Sequence, residues 1–404
     1  MPANSPLVPS FLGWLLSTPL LRRLGAHHPH GFYLLCLAVL CERWSAAILS
    51  SSVVWMLCQR YGYGRSDALR LVGLFNAASY FLTLPGGLAL DRLLGSRRAL
   101  GLAMLLLTAG YAVLTRSHPA ALWLSVSLLL VGHALFKPST QAVMVLLYDR
   151  YDPRFEAAQI LCYLGVNVAA SAGAVCAGVI LRRHDFPAAF SVAALVLFVG
   201  SVLVAWGNQT LRLRQKVAAS SAENAPASVA MSLSRRIKII SALTLAMVLF
   251  TIGFGQVEGG LFLFAQDRTD RFLFGFEIPT AWFVGLPSLL VVVLAPIQLV
   301  LLPRIRHSVS TPKLVILGLV SVALAFAILI PPALYAEGHR VSMLWLLACM
   351  TLLVIGELLI APLSLSLLLR LTPPRAVGAV MGVWYVAGAV GCWLAGEIGA
   401  LWMK

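Results

Sequence analysis

Charge is scarce in this chain: 11% of its 404 residues are Asp, Glu, Lys or Arg, while 60% are hydrophobic. A soluble domain carries about a quarter charged residues, so that class is excluded. Acidic residues are scarcer still, 15 against 30 Lys and Arg, and the net charge is +15. The cations do not gather on one soluble face, which argues against a nucleic-acid footprint. Seven cysteines (Cys36, Cys41, Cys58, Cys162, Cys176, Cys349 and Cys392) lack metal-ligand spacing, and no disulfide framework is argued, so they read as small packing residues. The eight histidines are scattered and mostly in loops, and no nucleophile-base pair accompanies them, so no enzyme is expected and no metal. No small-residue cleavage site follows the apolar stretch Phe11 to Leu21. Arginines and histidines do, which makes it a short interfacial helix rather than a signal peptide.

What the chain has is long apolar runs. They cover Gly31 to Cys58, Ala68 to Leu90, Ala99 to Leu114, Pro119 to Leu147, Ala157 to Leu181 and Pro187 to Trp206. After a polar stretch come Ile237 to Phe264, Ile278 to Leu302, Lys313 to Pro331, Met343 to Leu369 and Val377 to Trp402. All but the shortest, Ala99 to Leu114, are long enough to cross about 30 Å of hydrocarbon, and backbone groups left unpaired in lipid force such spans to be helical. The expected fold is an all-α polytopic membrane protein. Its parts are an N-terminal cytoplasmic segment 1–30, a six-helix half 31–206, a cytoplasmic linker 207–236 and a second half 237–404. With the N-terminus inside, the inner loops collect 18 Lys and Arg and the outer ones 10, the bias expected of that orientation. The excess positive charge then reads as topology and attraction to anionic head groups.

Five ionisable residues fall inside these runs: Glu42, Arg43, Lys137, Glu258 and Glu357. Charge at that depth costs about 2.5 kcal/mol or more, so each is expected to face a polar cavity and a partner. Glu42 and Arg43 are adjacent and cannot share one helix face, which assigns them different partners.

Six spans, a linker and a further set resemble the two-half plan of major facilitator transporters, with substrate near the midplane between halves. The stretch Pro85-Gly86-Gly87-Leu88-Ala89-Leu90-Asp91-Arg92-Leu93-Leu94-Gly95-Ser96-Arg97-Arg98, read as the loop after the second span, resembles that superfamily's Gly-x-x-x-Asp-Arg-x-Gly-Arg-Arg signature. It makes Asp91 and Arg92 gate residues, and its glycines suit close helix approach. Further stretches are similar to the proton-dependent oligopeptide transporters. They are Cys41-Glu42-Arg43-Trp44-Ser45, Leu135-Phe136-Lys137-Pro138, Asp152-Pro153-Arg154, Tyr163-Leu164-Gly165-Val166-Asn167, Phe276-Glu277-Ile278-Pro279, Ile355-Gly356-Glu357-Leu358 and Met381-Gly382-Val383-Trp384. They follow one another in the family's order.

The resemblance implies a monomeric, proton-coupled symporter of di- or tripeptides in a bacterial inner membrane, with protons as coupling ion and no cofactor. Lys137 and Glu357 inherit an ion pair between the halves and contact with peptide. Glu357, Glu42 and Glu258 are the proton-coupling candidates. Asn167, Tyr163, Tyr80, Asn76 and Arg43 are binding candidates, and Trp384 and Trp282 are candidates for an apolar side-chain pocket. The same amides and hydroxyls also serve as links between membrane helices. Departures are equally plain. The family's first signature glutamate falls on Val39, its tyrosine pair on Ala46 and Ala47, and the arginine expected to help hold a peptide carboxylate on Ser50. The seventh-span glutamate falls on Gly255, with Glu258 three residues on and expected on the same helix face. Eleven spans are recognisable of an expected twelve. Two other readings stay open: transport of another small amino-acid-like or carboxylate compound, with or without proton coupling, and a non-transporting receptor or assembly protein on a transporter scaffold.

Overall fold

The computed structural model describes residues 27–148, 152, 154–207, 232–306, 309–335, 339–372 and 377–401. The expected interfacial helix Phe11 to Leu21 and most of the linker lie outside the described residues. Among the described ones, eleven helices are long and apolar enough to cross a membrane, in the order the hydropathy predicts.

The first half comprises α1 (His30–Ser50), α2 (Val53–Tyr61), α3 (Arg65–Phe81), α4 (Thr83–Ala89), α5 (Ser96–Leu114), α6 (Pro119–Leu147), α7 (Arg154–Arg183) and α8 (Phe186–Trp206). The second comprises α9 (Leu233–Gly255), α10 (Gly260–Asp267), α11 (Thr280–Arg306), α12 (Thr311–Ala327), α13 (Ile330–Tyr335), α14 (Met343–Leu371) and α15 (Val377–Leu401). Buried apolar side chains form two main clusters. One draws chiefly on residues between Phe32 and Val204, the other on residues between Leu243 and Trp384.

Four spans that hydropathy reads as continuous are interrupted, the second of them at Leu82 between α3 and α4. In the first, the Ser51 and Ser52 hydroxyls donate back to the carbonyls of Ala47 and Ile48, at 2.6 and 2.7 Å, and the helix breaks between α1 and α2. In the seventh, α9 stops at Gly255 and α10 starts at Gly260. The turn between them satisfies its own backbone, with Gly259 N–H on the Gln256 carbonyl and Leu261 N–H on the same oxygen. Irregular backbone at membrane depth is tolerated only where it is packed in protein or lines a cavity, and both breaks do. The ninth divides into α12 and α13.

The Pro85 to Arg98 stretch is not a loop. It is helical through Ala89 and passes through a π-helical turn, Leu90–Leu94, before Gly95 (φ 72°) ends it. Apolar residues on both sides of Asp91 continue the second span, and only a left-handed glycine stops it. Outside the spans, β1 (Thr269–Asp270) pairs in parallel with β4 (Val341–Ser342), and β2 (Phe272–Leu273) with β3 (Phe276–Glu277) form a hairpin. At the corner between α6 and α7, the Arg154 guanidinium grips Asp152 at 2.8 Å and holds its carboxyl below the usual range.

The spans carrying Lys137 and Glu357 each hold an internal proline, Pro138 in α6 and Pro362 in α14. A helical proline deprives the carbonyl four residues earlier of its donor. In α6 that carbonyl is Ala134, and Gly86 of α4 packs so close that a Cβ there would lie 2.0 Å from its oxygen. In α14 it is Leu358, and the Gln298 side-chain amide of α11 donates to it.

Candidate functional site

A cavity of about 730 Å³ lies between the halves, lined by α1, α3, α6 and α7 on one side and by α9, α11, α14 and the turn before α10 on the other. Glu42, Arg43, Asn76, Tyr80, Lys137, Tyr163, Asn167, Glu258 and Glu357 all line it. The i, i+4 spacings place Asn76 with Tyr80 and Tyr163 with Asn167 on one face each of α3 and α7, and the cavity lies at those faces.

Glu42 is almost fully buried, and Arg43 folds back to bring Nη2 within 3.4 Å of its carboxylate. This corrects the expectation of separate partners. Adjacent helical residues diverge by about 100°, but a long arginine on the cavity wall can turn back toward a carboxylate that is itself cut off from water. Glu42 also approaches a neighbouring helix: its Oε1 lies 3.4 Å from His133 Nδ1 on α6, without hydrogen-bond alignment. Sequence reasoning set His133 aside among scattered histidines. Its position one turn before Lys137 was the available signal.

Lys137 and Glu357 do not form the expected ion pair. The Lys137 ammonium sits over the Tyr80 ring, 4.1 Å from its centroid, and Glu357 Oε1 accepts from the Tyr163 hydroxyl at 3.4 Å. The other oxygen, Oε2, is buried without a partner. The ring's negative face stabilises an ammonium that has no carboxylate beside it. Each charge of the anticipated pair is thus held by a tyrosine of the first half. Tyr163 to Glu357 is the polar link from α7 to α14, and so it joins the two halves.

Glu258 occupies the turn between α9 and α10, not a helix face. The glycine-rich stretch around it breaks the span, so Glu258 does not share a helix face with Gly255 as expected. The turn still delivers the carboxylate to the cavity, where it accepts from Asn76 Nδ2 at 3.1 Å across the halves. Asn167 donates one amide N–H to the Tyr163 carbonyl of its own helix, at 2.9 Å.

The two tryptophans lie elsewhere. Trp384 is buried in the apolar core of the second half, and Trp282 donates to the Val175 carbonyl at 3.1 Å and packs against Gly178 at the seam of α7 and α11. Aromatic size favours packing sites, and neither lines the cavity. Arg92 is exposed in the π-helical turn, and the Asp91 side chain lies outside the described ones.

Beyond one end of the cavity the halves are locked together. Arg65 at the start of α3 makes a two-pronged pair with Asp267 at the end of α10, Arg70 reaches Glu397 at 3.2 Å and Ser66 donates to the Ala400 carbonyl. Gly73 and Gly396 meet backbone to backbone between α3 and α15. These contacts all lie at span ends on one side of the protein under the alternation of eleven spans.

Two halves around a buried, charged cavity fit one superfamily, and its sequence profile, Major Facilitator Superfamily, matches residues 35–396. The chain belongs to the major facilitator superfamily. The peptide transporter YePEPT of Yersinia enterocolitica is 27% identical over 84% of this chain and 80% of its own length. The dipeptide and tripeptide permease A of Escherichia coli is 26% identical over 91% and 84%. An uncharacterised transporter of Bacillus subtilis, YclF, is 23% identical over 93% and 89%. Among solved structures, a mutant peptide transporter POT with alafosfalin superposes with a TM-score of 0.84 at 23% identity, covering 93% of this chain and 89% of that one. A POT family transporter with 5-aminolevulinic acid gives 0.83 at 20%, covering 93% and 91%. This facilitator is thus a multi-pass membrane protein whose fold is that of these transporters.

Proposed function

We propose that this facilitator is a proton-coupled symporter that imports di- or tripeptides by alternating access. It acts as a monomer in a bacterial inner membrane with its N-terminus in the cytoplasm, and it carries out no covalent chemistry. The names of its relatives support peptides as the cargo, and the 18 to 10 bias of basic residues supports the orientation.

One observation carries the reading. The cavity presents an ammonium from the first half and a carboxylate from the second, neither paired with the other, each held lightly by a tyrosine. A peptide is a zwitterion whose amino end suits Glu357 and whose carboxyl end suits Lys137. Binding it there replaces the Tyr163 to Glu357 link between halves. A proton on Glu357 weakens the same link by removing the charge that the Tyr163 hydroxyl serves. Proton and peptide thereby act on one contact that bridges α7 and α14, which is what coupling requires. With the N-terminus in the cytoplasm, the lock made by Arg65, Asp267, Arg70 and Glu397 reads as a closed outer gate above a cavity that opens inward.

The test is uptake of a labelled dipeptide pool into liposomes holding the purified protein, with and without an inward proton gradient. Gradient-stimulated accumulation is expected. Absence of accumulation of any peptide would refute the reading.

A further inference from the structure

The charges lining the cavity do not balance, and the imbalance speaks to which peptides fit. Five formal charges line it among the described residues: Glu42, Glu258 and Glu357 against Arg43 and Lys137. Arg43 and Glu42 are occupied with each other at 3.4 Å. That leaves two carboxylates, Glu258 and Glu357, facing a ligand, and one cation, Lys137.

The two carboxylates are separately mounted. Glu357 projects from α14 with Oε2 buried and unpartnered. Glu258 projects from the turn before α10, held by the Asn76 amide at 3.1 Å and touched by the Ser50 hydroxyl. No cation lies within ion-pair distance of either one among the described ion pairs, and Arg43, which acts on Glu258 from farther off, is shared with Glu42. Buried carboxylates without a counter-charge favour whatever ligand supplies it. An alanine dipeptide supplies one ammonium for two carboxylates. A dipeptide with a basic side chain supplies two, and its own carboxylate remains for Lys137.

Resting on the peptide reading above, we propose that the preferred substrates are dipeptides carrying one basic side chain, with Glu258 as the residue that selects the second positive charge. The walls near it are polar as well as apolar: Ser50, Asn76 and Tyr80 lie on the first-half side, Thr251 and Phe254 on the other. An extended alkyl-ammonium side chain lies along such a wall with its stem on the apolar surface and its head at the carboxylate.

The experiment is equilibrium binding of three dipeptides to the purified protein in detergent at pH 7: alanyl-alanine, alanyl-lysine and alanyl-glutamate. Alanyl-lysine is expected to bind about tenfold tighter than alanyl-alanine, equivalent to about 1.4 kcal/mol, with alanyl-glutamate weakest. In Glu258→Gln the ratio of alanyl-lysine to alanyl-alanine affinity is expected to shrink to about twofold or less, whatever the change in alanyl-alanine affinity itself. Equal or weaker binding of alanyl-lysine by the unaltered protein would overturn the proposal while leaving the peptide reading intact. Persistence of the full preference in Glu258→Gln would remove Glu258 from the selecting role. Failure of all three dipeptides to bind would overturn the peptide reading itself. The unaltered protein's own ranking decides the matter even where the variant fails to fold.

Discussion

The two proline-bearing helices, α6 and α14, both line the cavity and solve one problem in different ways. Each carries a buried charge near a proline, Lys137 beside Pro138 and Glu357 one turn before Pro362, and each proline strands a carbonyl. In α6 the vacated space is filled by backbone, because Gly86 of α4 packs onto the Ala134 carbonyl. In α14 the carbonyl of Leu358 is met by a side chain, Gln298 of α11. A backbone contact is rigid and tolerates no added atom. A side-chain donor can swing away and return. The first half therefore holds its charge on a fixed frame, while the second holds Glu357 on a helix whose support is adjustable. The difference suits a site where the peptide's carboxyl end is received by Lys137 and the moving proton by Glu357.

The largest expected effect comes from breaking the rigid side. Gly86→Ala places a Cβ against backbone that has nowhere to go, and the cost is expected at the upper end of the ~1–3 kcal/mol typical of overpacking. Thermal unfolding in detergent measures it, and near-unaltered stability would show that α4 and α6 are not so tightly joined. Next comes the charge that frame supports. Tyr80→Leu removes the ring under the Lys137 ammonium, worth ~0.5–2 kcal/mol, and dipeptide affinity is expected to fall several-fold. A titration with dipeptide checks this, and unchanged affinity would mean the ring does not position Lys137 for the ligand. On the adjustable side, Gln298→Leu is expected to cost only ~0.6 kcal/mol, the usual worth of a hydrogen bond between membrane helices. A double-mutant cycle gives the smallest and most specific signal. With Pro362→Ala restoring an N–H to the Leu358 carbonyl, Gln298→Leu is expected to cost less than half as much as it does alone. Additive effects would deny that Gln298 serves the carbonyl that Pro362 strands.

Much of the architecture was legible in the sequence because lipid allows few alternatives. Eleven apolar runs became eleven spanning helices, and Pro119–Leu147 matched at both ends. What escaped were features set by contacts between distant segments. The Ser51 and Ser52 hydroxyls break the first span by bonding backward, a choice hydropathy does not register. The glycines around Glu258 break the seventh span, where the apolar residues about them had read as one continuous helix. Glu42, Arg43, Asn76, Tyr80, Lys137, Tyr163, Asn167, Glu258 and Glu357 were picked out by charge at depth, spacing or family resemblance, and all line one cavity. Their partners were less legible. Arg43 turned back on Glu42, His133 approached from another helix, and Lys137 took a ring in place of a carboxylate. Gln298 left no trace at all, since the carbonyl it serves is 60 residues away in sequence.

The central claim is that Glu357 links the proton to the peptide through its contact with Tyr163. It is tested most directly by comparing two assays of Glu357→Gln in liposomes: exchange of internal for external dipeptide at equal pH, and accumulation driven by an inward proton gradient. The account predicts that exchange continues while gradient-driven accumulation falls to the level seen without a gradient. Accumulation by Glu357→Gln that still responds to the gradient as the unaltered protein does would contradict it.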